Sequence, residues 1–319
     1  MIFETFKNHH VEDAAKLALC KYENEAKIVG ALAHYSDSES LCQLIFDMCG
    51  HDLGIAAFEK SSLVGFLTCH GPLNDYFGTS NGAFSPIHAH ATIENNSSKI
   101  YSHLYQEAAK IWVGEGLLSH VIALYAHDDK SIQSFYHNGF GLRCVDAIRT
   151  IDKMPFQDIG GYSFSESSPA DYQAIADFEN MIVHHLRKSP MFMPRNPDYN
   201  DKMIKKSINE KGSRFFIAKY NDTPVGFLKI DNEGENFVCD SADMKNICGA
   251  YLLPNHRSNG VFHSLLSYVN NILFDEGYKK LGVDYESFNP NANAFWPKFF
   301  TPYTHSVARR IDERILNIR

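Results

Sequence analysis

No stretch of this sequence stays apolar for the roughly 20 residues that a bilayer-spanning helix needs, so no membrane span is expected. Basic charge is also scarce. Thirty Lys and Arg stand against 38 Asp and Glu, a formal charge of −8, which disfavours nonspecific binding to nucleic-acid phosphates. Paired cysteines are missing: the seven present form no Cys-x-x-Cys spacing, which points to reduced thiols in a cytoplasm rather than disulfides or a zinc cluster. The opening Met1-Ile-Phe-Glu-Thr-Phe lacks the basic-then-apolar layout of a secretory leader. His88-Ala-His90 puts two imidazoles on one strand face, but no third ligand stands nearby, and no metal site is expected. What remains is a 319-residue chain, 44% hydrophobic and 21% charged, comfortable for two domains.

A repeat supports two domains. Val64-Gly-Phe-Leu67 recurs as Val225-Gly-Phe-Leu228, Phe135-Tyr136 answers to Phe295-Trp296, and Arg149-Thr-Ile-Asp152 to Arg309-Arg-Ile-Asp312, all offset by about 160 residues. Two copies of one fold are therefore expected, 1–155 and 161–319, joined where Pro155 and Gly160-Gly161 punctuate the chain. In the first copy, helices are expected at 11–20, 39–49, 99–113 and 131–137. Strands are expected at 54–59, 63–70, 83–93, 119–126 and 142–151. The second repeats the plan, with strands at 162–166, 214–219, 225–230, 246–253, 280–287 and from His305, and helices at 169–186, 198–210, 261–273 and 292–298. Strands first, then strand–helix–strand–helix–strand, give an α/β (α+β) fold: a mixed, mostly antiparallel sheet flanked by helices in each copy.

The stretch with the most chemistry is Ala250-Tyr-Leu-Leu-Pro-Asn-His-Arg-Ser-Asn-Gly-Val-Phe262. A strand breaks at Pro254, a polar loop follows, and Val261, Phe262, Leu265, Leu266, Val269, Ile272 and Leu273 recur with helical period. Amides at the start of such a helix have no intrahelical acceptor and lie at the positive end of the dipole. They suit a phosphate or diphosphate. Gly260 allows close backbone approach, and Arg257 adds a fixed charge.

Arg257-x-x-Gly260 between strand and helix resembles the diphosphate loop of the GCN5-related N-acetyltransferases, and the order of elements resembles that family over nearly the whole chain, twice. Phe262 replaces the family's final small residue. Opposite the loop, the first copy has Asn95-Asn-Ser-Ser-Lys-Ile-Tyr101, with no Gly or Arg, and Ser97 or Ser98 is expected to cap its helix. The resemblance is thus to a tandem protein whose first copy is degenerate. It implies acetyl-CoA as cofactor, held by Arg257, Ser258, Asn259, Gly260, Val261 and Phe262. Backbone at Tyr251, Leu252 and Leu253 would meet the pantetheine in a gap between two splayed parallel strands. Asn289, which opens a motif resembling the family's Asn-x-x-Ala-x-x-x-Tyr, would contact the same arm or cap its own helix.

The resemblance also implies direct attack of an amine on the thioester, which needs a base and some acid for the thiolate. Glu286, at the C-terminal end of its strand beside Asp284, is the candidate base, with Glu233 through water as a substitute. The family's acidic tyrosine falls on Trp296, whose indole N–H is no acid near neutrality, so either another acid such as Tyr303 replaces it, or the thiolate leaves unassisted, or acyl-CoA is bound without turnover. His184-His185 suits a helix C-terminus. The Pro- and Met-rich loop 187–197 would shape the acceptor site, its three cations hinting at an anionic acceptor. The expected activity is acetyl transfer to an amine of a small molecule or peptide, with the oligomeric state open. Two rival readings are a noncatalytic acyl-CoA-binding or scaffolding module and, as in the peptidoglycan-bridge aminoacyltransferases, the same fold with another donor.

Overall fold

Stretches of period 2 and period 3.6 alternate along the sequence, and the computed structural model, which describes residues 1–35, 37–234 and 236–317, folds them accordingly. The first half runs β1 (Ile2–Thr5), α1 (Val11–Ile28), α2 (Ser38–Phe46), β2 (Ile55–Glu59), β3 (Ser62–Leu67), β4 (His70–Leu73), β5 (Gly82–Ser85), β6 (His90–Thr92), α3 (Ser97–Gly114), β7 (Ser119–Tyr125), α4 (Asp129–His137) and β8 (Gly141–Thr150). The second runs β9 (Tyr162–Glu166), α5 (Tyr172–Leu186), α6 (Asp201–Lys211), β10 (Arg214–Tyr220), β11 (Thr223–Asp231), β12 (Met244–Leu252), α7 (Val261–Asp275), β13 (Lys280–Glu286), α8 (Pro290–Phe295) and β14 (Thr301–Arg310). No helix among the described residues is long and apolar enough to cross a membrane.

The compact units are not the two linear copies. One comprises Met1–Val145 with Pro302–Arg319, the other Asp146–Thr301. In the first, β1–β2–β3–β6 pair antiparallel. There β5 runs parallel to β7, and β14 lies antiparallel to β7 from Thr304↔Tyr125 to Arg310↔Ser119. In the second unit β9, β10, β11 and β12 are antiparallel, β12 and β13 parallel, and the latter part of β8 lies beside β13. The last strand of each half thus completes the other half's unit.

The repeated Gly has a steric cause. A Cβ on Gly226 would lie 2.5 Å from the Tyr251 carbonyl oxygen, and one on Gly65 would lie 3.1 Å from that of Ala91. In the second copy the neighbouring strand comes too close for a side chain; in the first the tightest contact is with Ile100 Cγ2 of α3, at 2.9 Å. Both copies also carry a β-bulge just across the hairpin, at Ala57/Phe58 and Ala218/Lys219. Packing follows the helical period. Ile100, Tyr101, Leu104, Tyr105, Ala108 and Trp112 on α3 are buried in the first unit. Ile175, Ala176 and Phe178 of α5 meet Phe215, Ile217 and Phe227 in the second. Each of the larger side chains contributes roughly 1.5–3 kcal/mol by leaving water, the alanines less.

Two expectations change. The strand expected at 83–93 is two strands, because Pro86 cannot continue a ladder and the chain turns there, the Ala89 amide donating to the Pro86 carbonyl. The stretch between the strands expected at 63–70 and 83–93 begins inside β4, whose short pairing with β5 is interrupted by an irregularity and leaves no alternation to read. Strand β1, four residues long with a half-exposed pattern, has no expected counterpart.

Candidate active site

In the second unit, β12 and β13 pair only from Met244↔Lys280 to Ile247↔Val283; among the described residues the parallel ladder goes no further. On its other side β12 continues against β11 to Gly226↔Leu252, with a bulge that leaves Cys248 unpaired between Ile247 and Gly249. The bulge falls where β12 leaves β13, and added twist of this kind parts neighbours. Backbone from Cys248 to Leu252 therefore faces a gap.

Beside this gap begins α7. Its N-cap is Gly260, at φ 78°, with no side chain capping the helix. Its first backbone bond runs from the Ser264 amide to the Gly260 carbonyl, so the amides of Val261, Phe262 and His263 are open at the positive end of a 15-residue helix. Ser258 is also left-handed, at φ 68°. The preceding turn is anchored by the Tyr162 hydroxyl against His256 Nδ1, 2.8 Å apart. The linker at Gln157 and Ile159 runs past Gly260, and Gln157 accepts the Ser264 hydroxyl at 3.0 Å.

These elements line a pocket of about 430 Å³. Ile182, His185 and Leu186 come from α5, Ala250, Tyr251 and Leu252 from β12, Arg257, Ser258 and Gly260 from the loop, and Phe262 and His263 from α7. Asn289, Phe295, Trp296, Lys298 and Phe299 close the far side. The lining holds Arg257, Lys298 and two histidines but no carboxylate, which suits an anionic ligand with an apolar portion. Phe262 packs edge-on to Phe295 and Trp296, ring centroids 5.0 and 5.8 Å away, so the residue that replaces a small one builds an aromatic wall.

Of the residues expected to hold a cofactor, Tyr251, Leu252, Arg257, Ser258, Gly260, Phe262 and Asn289 line this pocket, whereas Leu253, Asn259 and Val261 do not. Val261 is fully buried. Arg257 is folded back: its Nε donates to the Leu252 carbonyl at 2.8 Å and its guanidinium lies over the Tyr251 ring. It acts as a brace for the loop as well as a charge. Asn289 caps α8 by accepting the Asn291 amide at 3.2 Å and also lines the pocket. Glu286 ends β13 outside the lining, its carbonyl accepting the Asn289 amide. Tyr303 is buried in the first unit, 1% exposed, and outside the lining.

A carboxylate missed in the sequence is Glu179. It lies on the pocket-lining face of α5, one turn before Ile182, and a Cβ on Gly249 would lie 3.4 Å from its Oε1. It therefore sits against the backbone at the bulge, next to pocket-lining Ala250. Burial pushes its carboxyl up to about 7, moderated by Lys229 and reinforced by Asp231. Lys229 is itself paired with Asp231 at 2.7 Å. The signal was a lone acid within the apolar stripe Ile175, Phe178, Ile182, Leu186.

The first unit handles the equivalent region differently. Neither Ser97 nor Ser98 is the N-cap of α3; Asn96 is, left-handed at φ 59°, and its side chain makes no cap bond. Ser97 instead bonds Thr92 Oγ1 at 2.7 Å and Ser98 donates to the Lys130 carbonyl at 2.9 Å, because both hydroxyls find tertiary partners. The flank of β7 is filled by His90, whose Nε2 donates to the Ala123 carbonyl at 2.7 Å and whose Nδ1 accepts the Tyr101 hydroxyl at 2.9 Å. Burial lowers its pKa to about 4. With both ring nitrogens committed, His90 is no metal ligand. Glu4, His9 and His10 form a cluster of metal-ligand type, but His10 Nδ1 accepts the Lys7 amide and its Nε2 meets Glu4, leaving no ring lone pair for an ion.

The sequence comparison bears on these parted strands and the uncapped helix beside them: residues 180–300 match the Acetyltransferase (GNAT) family. The second half of the chain carries a GNAT-family domain within a tandem two-domain architecture. A GCN5-related N-acetyltransferase from Sphaerobacter thermophilus is similar at 11% identity and TM-score 0.62, over 97% of this chain and 95% of that one; the likeness is one of fold. A GCN5-related N-acetyltransferase from Kribbella flavida, 11% identical, aligns over 80% and 90% of the two chains with TM-score 0.47. A tandem GNAT protein from the clavulanic acid biosynthesis pathway, 10% identical, aligns over 97% and 98% with TM-score 0.45. No curated protein matches the sequence.

Proposed function

We propose that the second unit transfers an acetyl group from acetyl-CoA to an amine of a small molecule or peptide. The observation that carries this reading is the uncapped start of α7, opening into a cationic pocket beside the parted strands. The amides of Val261, Phe262 and His263 suit the diphosphate, and the free flank of β12 suits the amide-bearing pantetheine arm. Acetyl-CoA bound there would supply an acyl group activated as a thioester. An amine arrives as an ammonium ion and must lose a proton before it attacks. Glu179, poised near neutrality at the bulge, takes that proton. Glu286 is the alternative carboxylate, farther along β13. A thiol ionises near roughly pH 8.5 in water, so its thiolate leaves without strong acid assistance, consistent with buried Trp296 at the usual tyrosine place.

That tryptophan also favours a second reading, acyl-CoA binding without turnover. One experiment separates the two: thiol release from acetyl-CoA is followed across a panel of amines, with calorimetry of coenzyme A binding in parallel. Binding with turnover on one or more amines supports transfer. Binding without turnover on every amine favours the module, and no binding removes both.

A further inference from the structure

The first unit has a pocket of its own, about 330 Å³, built from the same kinds of element: one face of α1, the start of α3 and the residues that follow β7. Its electrostatics are the reverse of the second unit's. Lys21 and Lys130 face four carboxylates, Glu25, Glu94, Asp128 and Asp129, leaving the lining two charges negative when His127 is neutral. Inside it, Lys21 is bound to Asp128 at 2.6 Å and both are largely buried. Asn24 donates to Glu94 at 2.8 Å.

The deepest of these groups is Glu25, whose side chain is 2% exposed. It accepts two N–H groups of one residue, the backbone amide of His127 at 3.3 Å and His127 Nδ1 at 2.7 Å. An ionised carboxylate only accepts, so the bond places the ring proton on Nδ1. In the neutral ring Nε2 is then an acceptor. The His127 side chain is 36% exposed and lines the pocket. A fixed acceptor nitrogen, an excess of carboxylates and the apolar flanks of Ile28 and Tyr125 call for a ligand that donates hydrogen bonds, carries positive charge and has a short hydrocarbon stem.

We infer that this pocket is a binding site for a small alkylammonium ion, with His127 Nε2 as its hydrogen-bond acceptor and Glu94 and Asp129 as its counter-charges. The site is separate from the acyl-transfer pocket and stands whether or not that reading holds. Glu25 positions the imidazole and does not itself touch the ligand.

The test is calorimetric titration of the full chain with 1,4-diaminobutane and, as the anionic control, butanoate. The diamine binds and butanoate does not. His127→Ala weakens the diamine about tenfold or more. His127→Gln, whose carbonyl can still accept, retains part of the affinity. Glu25→Gln also weakens it about tenfold, because the amide donates to Nδ1 and turns Nε2 into a donor. If Glu25→Gln fails to fold, the half-exposed His127 variants decide alone. The inference is overturned if wild type shows no heat with the diamine, if butanoate binds as well, or if both His127 variants bind like wild type.

Discussion

Replacing Glu179 by Gln should weaken catalysis and strengthen the fold at once, a pairing that a simple structural carboxylate would not produce. The substitution keeps shape and removes charge. Lys229 is not orphaned, because it keeps Asp231 at 2.7 Å. Burial holds the Glu179 carboxyl up near 7 rather than near its ordinary value of 4.5. For a carboxyl raised on folding, the protonated form is the one the fold favours. Its contribution is whole below the unfolded pKa and is lost as pH climbs through about 7. The side chain is only half-buried, so solvent screening limits the effect to on the order of 1–2 kcal/mol. Glu179→Gln should therefore match wild type in urea unfolding at pH 4.5 and exceed it by that amount at pH 8. In the thiol-release assay, loss of a general base should cost about 10²–10⁴-fold in kcat/KM, roughly 3–5 kcal/mol of barrier. The acid limb of the wild-type pH profile, with its midpoint near 7, should vanish. A variant within about threefold of wild type, with that limb intact, would refute the assignment; a collapse confined to Glu286→Gln would move the base to β13.

Other changes probe the frame around this residue. Gly260→Val meets ordinary van der Waals room, its nearest neighbour Ile159 Cδ1 at 3.6 Å, so its penalty is conformational. A branched residue at φ 78° costs about 1–2 kcal/mol, and coenzyme A affinity measured by calorimetry should fall; unchanged affinity would count against the loop. Gly226→Ala sets a Cβ 2.5 Å from the Tyr251 carbonyl oxygen and should cost about 1–3 kcal/mol, read as a lower Tm, with a wild-type Tm arguing against close strand approach as the reason for the glycine. Trp296→Tyr restores a phenol where the tryptophan stands and should raise kcat if thiolate release limits turnover; an equal kcat at saturating amine would show that no acid is needed.

The helices and most strands were legible because their periodicity is strong. α3, with six buried apolar or aromatic positions on one face, departs from its expected span by two residues at one end and one at the other. β9 was expected at its observed bounds. Where partners lie far away in sequence, local pattern was silent. Nothing near Ser97 reveals that Thr92 claims its hydroxyl or that Lys130 takes that of Ser98. The loop around Gly260 could be read from a glycine placed just before a helix start. Glu179 could not be ranked, since its character comes from Gly249, 70 positions on, coming close enough to touch it. The exchange of final strands was hidden for the same reason: Arg149-Thr-Ile-Asp152 and Arg309-Arg-Ile-Asp312 look alike, and similarity carries no address.

Because β7, paired on one side with β5, finds its neighbour on the other side in residues 304–310, the early part of the chain leaves the ribosome with a seam it cannot close. Synthesis runs one way and completion the other, so the first unit stays an unfinished template until the second has been made. Clipping the chain after Thr301 should therefore harm the unit whose sequence was left untouched, baring a backbone edge that invites self-association.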